Sequence, residues 1–169
     1  TARPIPAALG TAIVRVGDLT AALTGANRRA LEGINYRTIH LHPNQHAGYF
    51  PGATSLSLLV HFAEEDGRIL GAQAVGKEGV DKRIDVIATA MRAGLTIEDL
   101  IDLDLAYSPP YGMAKDPVNL AGMIGSNVRS GELQLWYVDD IPWAQENATI
   151  VDVRSAAEFA TGHIPGAIN

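Results

Sequence analysis

The sequence predicts an α+β fold in which an antiparallel sheet is covered on one face by helices. The clearest sign of antiparallel pairing is Asp66-Gly67, which joins two apolar, β-branched runs in the way hairpin turns do. Residues 36–42 alternate between polar and apolar side chains, which predicts a further strand. Two runs with helical periodicity, residues 81–93 and 117–128, supply the covering layer.

The elements before the hairpin are a strand, a short helix and a second strand. Residues 10–25 mix β-branched and small side chains, which predicts one strand. Thr24 offers a capping hydroxyl and Gly33 a stop signal, which together predict a helix near residues 26–34 that joins the covering layer. The alternation Tyr-Arg-Thr-Ile-His-Leu that follows predicts a strand with one buried face.

Three helices are predicted after the hairpin. The first ends at Gly94 and carries an apolar stripe of Val80, Ile84, Ile87, Ala88 and Met91. Thr96 begins a short helix with acidic residues in its first turn, where the helix dipole favours them. Pro117 stands at the first position of the third, a position that proline favours.

The composition changes after residue 130. Residues 131–147 contain both tryptophans and are interpreted as a linker. Residues 148–169 begin with a buried-strand run, Thr149 to Val153, and continue with a short helix around Ala156 to Ala160. A strand, a helix and a turn bury too little surface to be stable alone, so this segment is interpreted as the truncated start of an incomplete α/β domain.

Composition narrows the classes of function. The net charge of -6 and the pI near 5.2 disfavour a nucleic-acid partner, and Lys and Arg are scattered along the chain. No apolar run is long enough to span a bilayer, and the N-terminus lacks a signal-peptide pattern, so a cytoplasmic location is expected. The chain has no cysteine, so it offers no disulfide, thiolate ligand or cysteine nucleophile.

Two polar clusters are assigned no function. His40, His42 and His46 have a spacing that could suit a metal, but no nearby carboxylate completes a ligand set, so no metal is expected. A charge run around Arg83 is interpreted as a solvated, salt-bridged helix face; its members are Lys77, Asp81, Lys82, Arg83 and Asp85. The glycines of GAQAVGKEG do not match a dinucleotide fingerprint, and no phosphate-loop pattern occurs in the chain.

Three tyrosines lie in loops rich in proline and glycine. Tyr49 occurs in HAGYFPGA, and Tyr107 and Tyr111 bracket the pair Pro109-Pro110. Such loops can present a phenol to solvent, where it can donate a hydrogen bond to a developing anion or act as a general acid. Burial of the rings as packing residues is the alternative, and spacing leaves both open.

Four stretches together resemble the C-terminal dimerisation domain of the flavin-dependent pyridine nucleotide-disulfide oxidoreductases. They are GTAIVRVGDLTAALTG, YRTIHLHPNQHAGYFPGA, GRILGAQAVGKEGVDKRIDVIATAMRAGLTIEDL and AYSPPYGMAKDPVNLAG. The resemblance is closest to the coenzyme A-disulfide reductase and NADH oxidase branch, and it assigns residues 10–130 to this domain. Residues 152–169, with Glu158-Phe159 and GHIPGA, resemble the beginning of a rhodanese domain. Residues 1–9 are a possible remnant of the flavin-binding domain.

The resemblance implies a homodimer in which this domain completes its partner's active site. FAD and NAD(P)H would be bound by domains absent from this chain. Tyr49 and Tyr107 would reach the partner's redox cysteine and the sulfur of coenzyme A and hydrogen-bond a thiolate, and Tyr111 would contact the same substrate. The Pro-Pro pair would stiffen the loop that presents Tyr107.

The resemblance thus implies part of a reductase acting on coenzyme A disulfide, a persulfide or a similar small disulfide, inactive as an isolated chain. Two alternatives remain open. One is an NADH oxidase of the same family. The other is a free-standing homodimerisation module without redox activity.

Overall fold

The structure is a computed structural model that describes residues 5–169. The first four residues of the possible flavin-domain remnant, residues 1–9, lie outside the described residues. The chain divides into two units, the first ending at Leu133 and the second beginning at Gln134, and each is described by itself.

The first unit is built on a five-stranded sheet with the order β1-β2-β5-β4-β3. Every neighbouring pair is antiparallel. The strands are β1 Ala12–Val16, β2 Leu19–Gly25, β3 Tyr36–Leu41, β4 Leu56–Ala63 and β5 Ile69–Gly76. The predicted α+β class with an antiparallel sheet is therefore confirmed.

The first unit also contains two α-helices, α1 Val80–Ala93 and α2 Pro117–Arg129, and two 3-10 helices, Arg28–Leu31 and Glu98–Asp102. Both α-helices agree with the sequence prediction. Gly94 closes α1 with φ +75°, and its N–H donates to the carbonyls of Ala90 and Met91. The third predicted helix, at residues 96–102, is present but takes the tighter 3-10 form.

The core lies between one face of the sheet and the two α-helices. Strand residues such as Ile39, Val60 and Ala72 are fully buried there, as are Ile87 of α1 and Val118 of α2. Because side chains alternate along each strand, the opposite face carries the intervening residues. The sheet thus presents one packed face and one face without a helical layer from α1 or α2.

The prediction of one strand over residues 10–25 is wrong, because this segment is a hairpin of two strands. Val16 pairs with Leu19, so Gly17 and Asp18 alone form the turn. Gly17 has φ +61°, a conformation that suits the first central position of a tight hairpin turn. Polar and apolar residues do not alternate clearly on either side of Gly17, so the sequence pattern did not reveal the turn between the two strands.

The prediction of a helix near residues 26–34 is also wrong in its cap and its type. Asn27 begins the element, since its side-chain oxygen accepts a hydrogen bond from the N–H of Ala30 at 3.0 Å. Thr24 instead lies in β2, where it is buried and its hydroxyl meets that of Thr11 at 2.8 Å. A 3-10 helix over Arg28–Leu31 results, and it adds little to the covering layer.

A buried histidine on β4 is expected to make the fold acid-sensitive. His61 is 2% exposed, and its Nε2 has no hydrogen-bond partner in the described part of the chain. Its Nδ1 meets the hydroxyl of Thr38 at 2.8 Å, and the ring of Tyr36 packs edge-on at 5.3 Å. Loss of hydration, and secondarily the charge of His40, lower the pKa of His61 from 6.5 to about 4.

We therefore expect stability to be fully present above pH 6.5 and to fall as the pH drops toward 4, because the unfolded chain takes up a proton that folded His61 refuses. The change from pKa 6.5 to about 4 corresponds to an upper limit of about 3–4 kcal/mol, at about 1.4 kcal/mol per pKa unit. Urea unfolding at stepped pH values checks this. In His61→Gln, the free energy of unfolding should fall less between pH 6.5 and 4 than in the wild type. Replacing the exposed His42 by glutamine should leave this pH dependence unchanged. An equally steep fall in His61→Gln would contradict the assignment to His61.

The second unit contains a 3-10 helix at Val138–Asp140 and two α-helices, α3 Ile141–Asn147 and α4 Ala156–Thr161. The predicted helix around residues 156–160 is present as α4, capped by Ser155. The predicted strand at 149–153 is reduced to one parallel bridge between Val151 and Ile168. The segment interpreted as a linker contains α3. In the part of the chain that the structure describes, no helix is both long and apolar enough to cross a bilayer.

Candidate functional site

The structure brings the side chains of Tyr49 and Tyr107 close enough for their phenols to interact. Both are presented to solvent, since 78% of Tyr49 and 49% of Tyr107 is exposed. Interaction with the hydroxyl of Tyr49, and secondarily loss of hydration, raise the pKa of Tyr107 above its usual value of 10.0. A phenol with a pKa of about 10 or above is protonated at neutral pH, so Tyr107 can serve as a hydrogen-bond donor.

Tyr49 lies at the tip of the loop between β3 and β4. Gln45 holds the base of this loop with both its backbone and its side chain. Its N–H donates to the carbonyl of Thr54 at 3.0 Å, its Oε1 accepts from the N–H of Thr54 at 2.6 Å, and its Nε2 donates to the carbonyl of Gly52 at 3.2 Å. A turn closed from the N–H of Phe50 to the carbonyl of Ala47 then carries Tyr49 outward.

Tyr107 lies in the loop between the second 3-10 helix and α2. The Pro-Pro pair forms a turn, in which the carbonyl of Ser108 accepts hydrogen bonds from the N–H groups of Tyr111 at 2.8 Å and Gly112 at 3.1 Å. The turn points Tyr111 into solvent, with 74% of the residue exposed. Tyr111 thus shares the loop of Tyr107, while the phenol contact joins Tyr107 to Tyr49.

Two hydrogen bonds tie these loops to neighbouring structure. The N–H of Ala47 donates to the carbonyl of Gly112 at 2.8 Å, which joins the Tyr49 loop directly to the Tyr107 loop. Lys82, in the first turn of α1, donates from Nζ to the carbonyl of Ala106 at 3.3 Å. Since Ala106 directly precedes Tyr107, α1 restrains this loop beside the phenol.

Arg83 is a buried residue near the tyrosine loops whose position the sequence analysis missed. The interpretation of Arg83 as part of a solvated helix face is wrong, because its side chain is 1% exposed and pairs with Asp116. Helical phase could have revealed this: Arg83 is three positions after Val80 and four before Ile87, which places it on the buried stripe. Asp81 and Asp85 on the same helix are exposed, as predicted.

Asp116 links this buried arginine to the start of α2. Its Oδ1 accepts from the N–H of Val118 at 3.1 Å, and its own N–H donates to Oδ1 of Asn119 at 3.1 Å, which forms a reciprocal helix cap. Asn119 in turn donates to the carbonyls of Leu100, Ile101 and Leu103. The segment leading into the Tyr107 loop is therefore anchored at both ends.

Two of the three histidines considered as metal ligands, His42 and His46, have separate hydrogen-bond partners. His42 Nδ1 lies 3.0 Å from the hydroxyl of Ser57. His46 is buried and donates from Nδ1 to the carbonyl of Ala47 at 3.1 Å, with its ring edge-on to Phe50. Loss of hydration and the charge of His42 lower the pKa of His40. Residues 5–169 contain no group of three or more His, Cys, Asp or Glu side chains that could hold a metal ion.

The arrangement offers a solvent-facing pair of phenols on two loops that are joined by a hydrogen bond at their bases. A donor of this kind can stabilise negative charge that develops on a reacting atom. The chain has no cysteine, so it supplies no thiol to react. The tyrosine pair is therefore suited to assist chemistry whose reacting groups come from elsewhere.

Comparison with known proteins gives two family matches. Residues 11–117 match the pyridine nucleotide-disulphide oxidoreductase dimerisation domain. Residues 137–169 match the rhodanese-like domain. The sequence therefore resembles the families that its motifs indicated.

Curated relatives and solved structures agree with these matches. A coenzyme A disulfide reductase of Staphylococcus haemolyticus is 46% identical over 114 residues, which cover 68% of this chain and 26% of the relative. The structure of reduced CoADR-RHD from Bacillus anthracis aligns with a TM-score of 0.91 at 46% identity, over 95% of this chain and 29% of that one. A NAD-dependent persulfide reductase from A. fulgidus aligns with a TM-score of 0.82 at 39% identity, over 90% and 28% respectively.

The chain spans about a quarter of the length of the curated relatives it matches, with 26% covered in the Staphylococcus haemolyticus protein. The match to the dimerisation domain covers more than half of this chain, and the antiparallel sheet with its two packed helices agrees with it. The chain therefore belongs to the pyridine nucleotide-disulphide oxidoreductase family, and residues 11–117 match its dimerisation domain.

Proposed function

We propose that this chain is the dimerisation and active-site-completing part of an FAD- and NAD(P)H-dependent reductase for coenzyme A disulfide, a persulfide or a similar small disulfide. The observation that carries the proposal is the exposed, interacting pair Tyr49 and Tyr107 on two loops joined by a hydrogen bond. Tyrosine side chains that served only packing would be buried, whereas the phenols of Tyr49 and Tyr107 are presented to solvent. Family membership supplies the setting in which such a pair has a use.

The phenols would act on sulfur. In thiol-disulfide exchange, a thiolate attacks one sulfur of a disulfide, a new S–S bond forms, and the other sulfur leaves with the electron pair as a thiolate. Tyr107, a phenol that is protonated at neutral pH, would donate a hydrogen bond to that leaving thiolate, with Tyr49 beside it. The attacking cysteine would belong to the partner subunit's preceding domain. Tyr111, exposed on the same loop, would contact the body of the substrate.

The residues of this chain do not fit a flavin or dinucleotide site. Its glycines lack the phosphate-binding fingerprint. A shallow groove of about 240 Å³ on three strands is almost wholly apolar; its lining residues are Ala12, Ile13, Val14, Ala21, Ala22, Leu23, Gln73, Ala74 and Val75. FAD and NAD(P)H are therefore proposed to bind in other domains, where they would supply reducing equivalents.

A homodimer is proposed because residues 11–117 match a dimerisation domain. The β1–β2 hairpin exposes apolar side chains that would be costly to leave in water on a monomer. Its exposed members are Ile13, Val14, Val16, Leu19 and Leu23. Proposed partners are therefore a second copy of the protein and a small-molecule disulfide or persulfide, in the cytoplasm.

Two relatives support a sulfur substrate. The Staphylococcus protein is named for coenzyme A disulfide, and the A. fulgidus structure for persulfide reduction. Each is far more than 25% identical to this chain, at 46% and 39% respectively. The rhodanese-like match over residues 137–169 indicates sulfur chemistry only by analogy with other members of that family. The tyrosine pair therefore remains the main support for a sulfur substrate.

The experiment that tests this function uses the full-length protein that carries the chain. We expect a flavin band in its visible spectrum and oxidation of NAD(P)H that depends on added coenzyme A disulfide or coenzyme A persulfide. Oxygen alone serves as the control acceptor. Rapid NAD(P)H oxidation by oxygen with no stimulation by either sulfur substrate would identify an oxidase, and a sample without flavin would leave dimerisation as the function.

A further inference from the structure

We propose that Arg83 is a positioning residue that holds the Tyr49 and Tyr107 loops at a fixed separation. Its place in the reaction rests on the function proposed above, whereas its effect on the two loops does not. Arg83 is buried in the first unit, with its side chain 1% exposed, and its guanidinium donates hydrogen bonds to Gly79, Gln45 and Asp116.

Arg83 reaches the Tyr49 loop through its backbone. Nη2 donates to the carbonyl of Gln45 at 2.7 Å, and this is the residue whose backbone and side chain hold the base of the loop. Nη1 donates to the carbonyl of Gly79, just before α1, at 3.1 Å. The guanidinium therefore fixes the base of the Tyr49 loop against the start of α1.

Arg83 reaches the end of the Tyr107 loop through Asp116. Nε donates to Oδ1 at 3.2 Å and Nη2 to Oδ2 at 2.8 Å, so the two planar groups meet side by side. Asp116 closes the loop as the cap of α2. The same Nη2 thus contacts both loops, and the hydrogen bond from Ala47 to Gly112 completes the connection above it.

Stability alone does not explain this pair. A buried ion pair loses hydration on both charges, and well-packed apolar residues of similar size are often as stable or more so. Apolar side chains, however, could not bind the carbonyl of Gln45 or the carboxylate of Asp116. The planar guanidinium of Arg83, with its fixed donor directions, therefore defines the distance and orientation between the two loops, which apolar side chains could not do.

The test compares Arg83→Lys with Arg92→Lys in the full-length protein. Lysine keeps the positive charge of Arg83 but has no planar fork to bridge the two loops. Arg92 is an exposed residue in the last turn of the same helix, about 13 Å along its axis at 1.5 Å per residue. The first measurement is the titration of Tyr107 by carbon-13 NMR of ring-labelled tyrosine, assigned with Tyr107→Phe, in the absence of substrate.

In Arg83→Lys we expect the pKa of Tyr107 to fall toward its ordinary value while the melting transition stays cooperative, because the phenols lose their alignment. We also expect kcat to fall by about 10- to 100-fold with KM changed much less, since small displacements of an aligned group cost this much. Arg92→Lys should change neither quantity.

An unchanged Tyr107 titration in a folded Arg83→Lys protein overturns the inference. If Arg83→Lys does not fold, the pair Arg83→Met with Asp116→Asn removes both charges, retains a capping side chain and is read in the same way. If the titration shifts but Tyr107→Phe turns over like the wild type, the proposed function fails while the positioning role of Arg83 stands.

Discussion

Replacing Tyr107 by phenylalanine in the full-length enzyme is expected to lower kcat by about 10²- to 10³-fold, the range seen when one preorganised donor to a developing anion is removed. Phenylalanine keeps the ring and removes only the hydroxyl, so packing in the half-exposed loop changes little. Initial rates of NAD(P)H oxidation with coenzyme A disulfide measure the effect. A donor needed only in the transition state should lower kcat and kcat/KM alike.

Tyr36→Phe is the matched control for this result. Tyr36, on β3, packs against His61 of β4 and is not among the groups that raise the pKa of Tyr107. Its variant should turn over at the wild-type rate. Wild-type turnover in Tyr107→Phe as well would remove Tyr107 from the mechanism.

Arg83→Met is expected to destabilise the protein by about 3–5 kcal/mol, the range for breaking one side of a buried ion pair. Methionine removes the charge, and the carboxylate of Asp116 is then left with Lys82 at 3.6 Å as its remaining cation. The carbonyl of Gln45 loses its donor at the same time. Urea unfolding followed by circular dichroism gives the difference in free energy.

Two further variants test why Arg83→Met lowers the free energy of unfolding. Adding Asp116→Asn to Arg83→Met removes the unpaired charge and keeps a good capping residue, so it should restore part of the loss. Arg92→Met on the exposed side of the same helix should change stability by no more than about 0.5 kcal/mol. Equal effects at Arg83 and Arg92 would show that the buried pair has no special role.

Much of the sheet and both long helices could be predicted from local pattern. The alternation of β3, the Asp-Gly turn before β5 and the stripe of α1 each follow from a period that the backbone imposes. The prediction of one strand in the segment before β3 was wrong for a physical reason. Gly17 and Asp18 provide the turn, but the flanking residues are apolar or small on both sides, so no change in period marked two strands.

The site was predictable only in part. Proline and glycine around Tyr49 and Tyr107 indicated loops, and the family resemblance singled these two residues out. Their interaction could not be predicted, because it depends on how two loops distant in sequence meet in space. Arg83 was hidden by its acidic neighbours, since composition cannot tell which charge of a run faces the core.

The contacts of Arg83 also bear on the order in which the protein acquires its structure. They join residues 38 and 33 positions apart, to Gln45 and Asp116 respectively. Contacts so far apart in sequence form only after the entropy of closing the intervening loops has been overcome. During synthesis, the β4–β5 hairpin and α1 can therefore form before Asp116 has left the ribosome, while the tyrosine loops cannot yet be aligned. The aligned pair of phenols would thus be among the last features to mature in this unit.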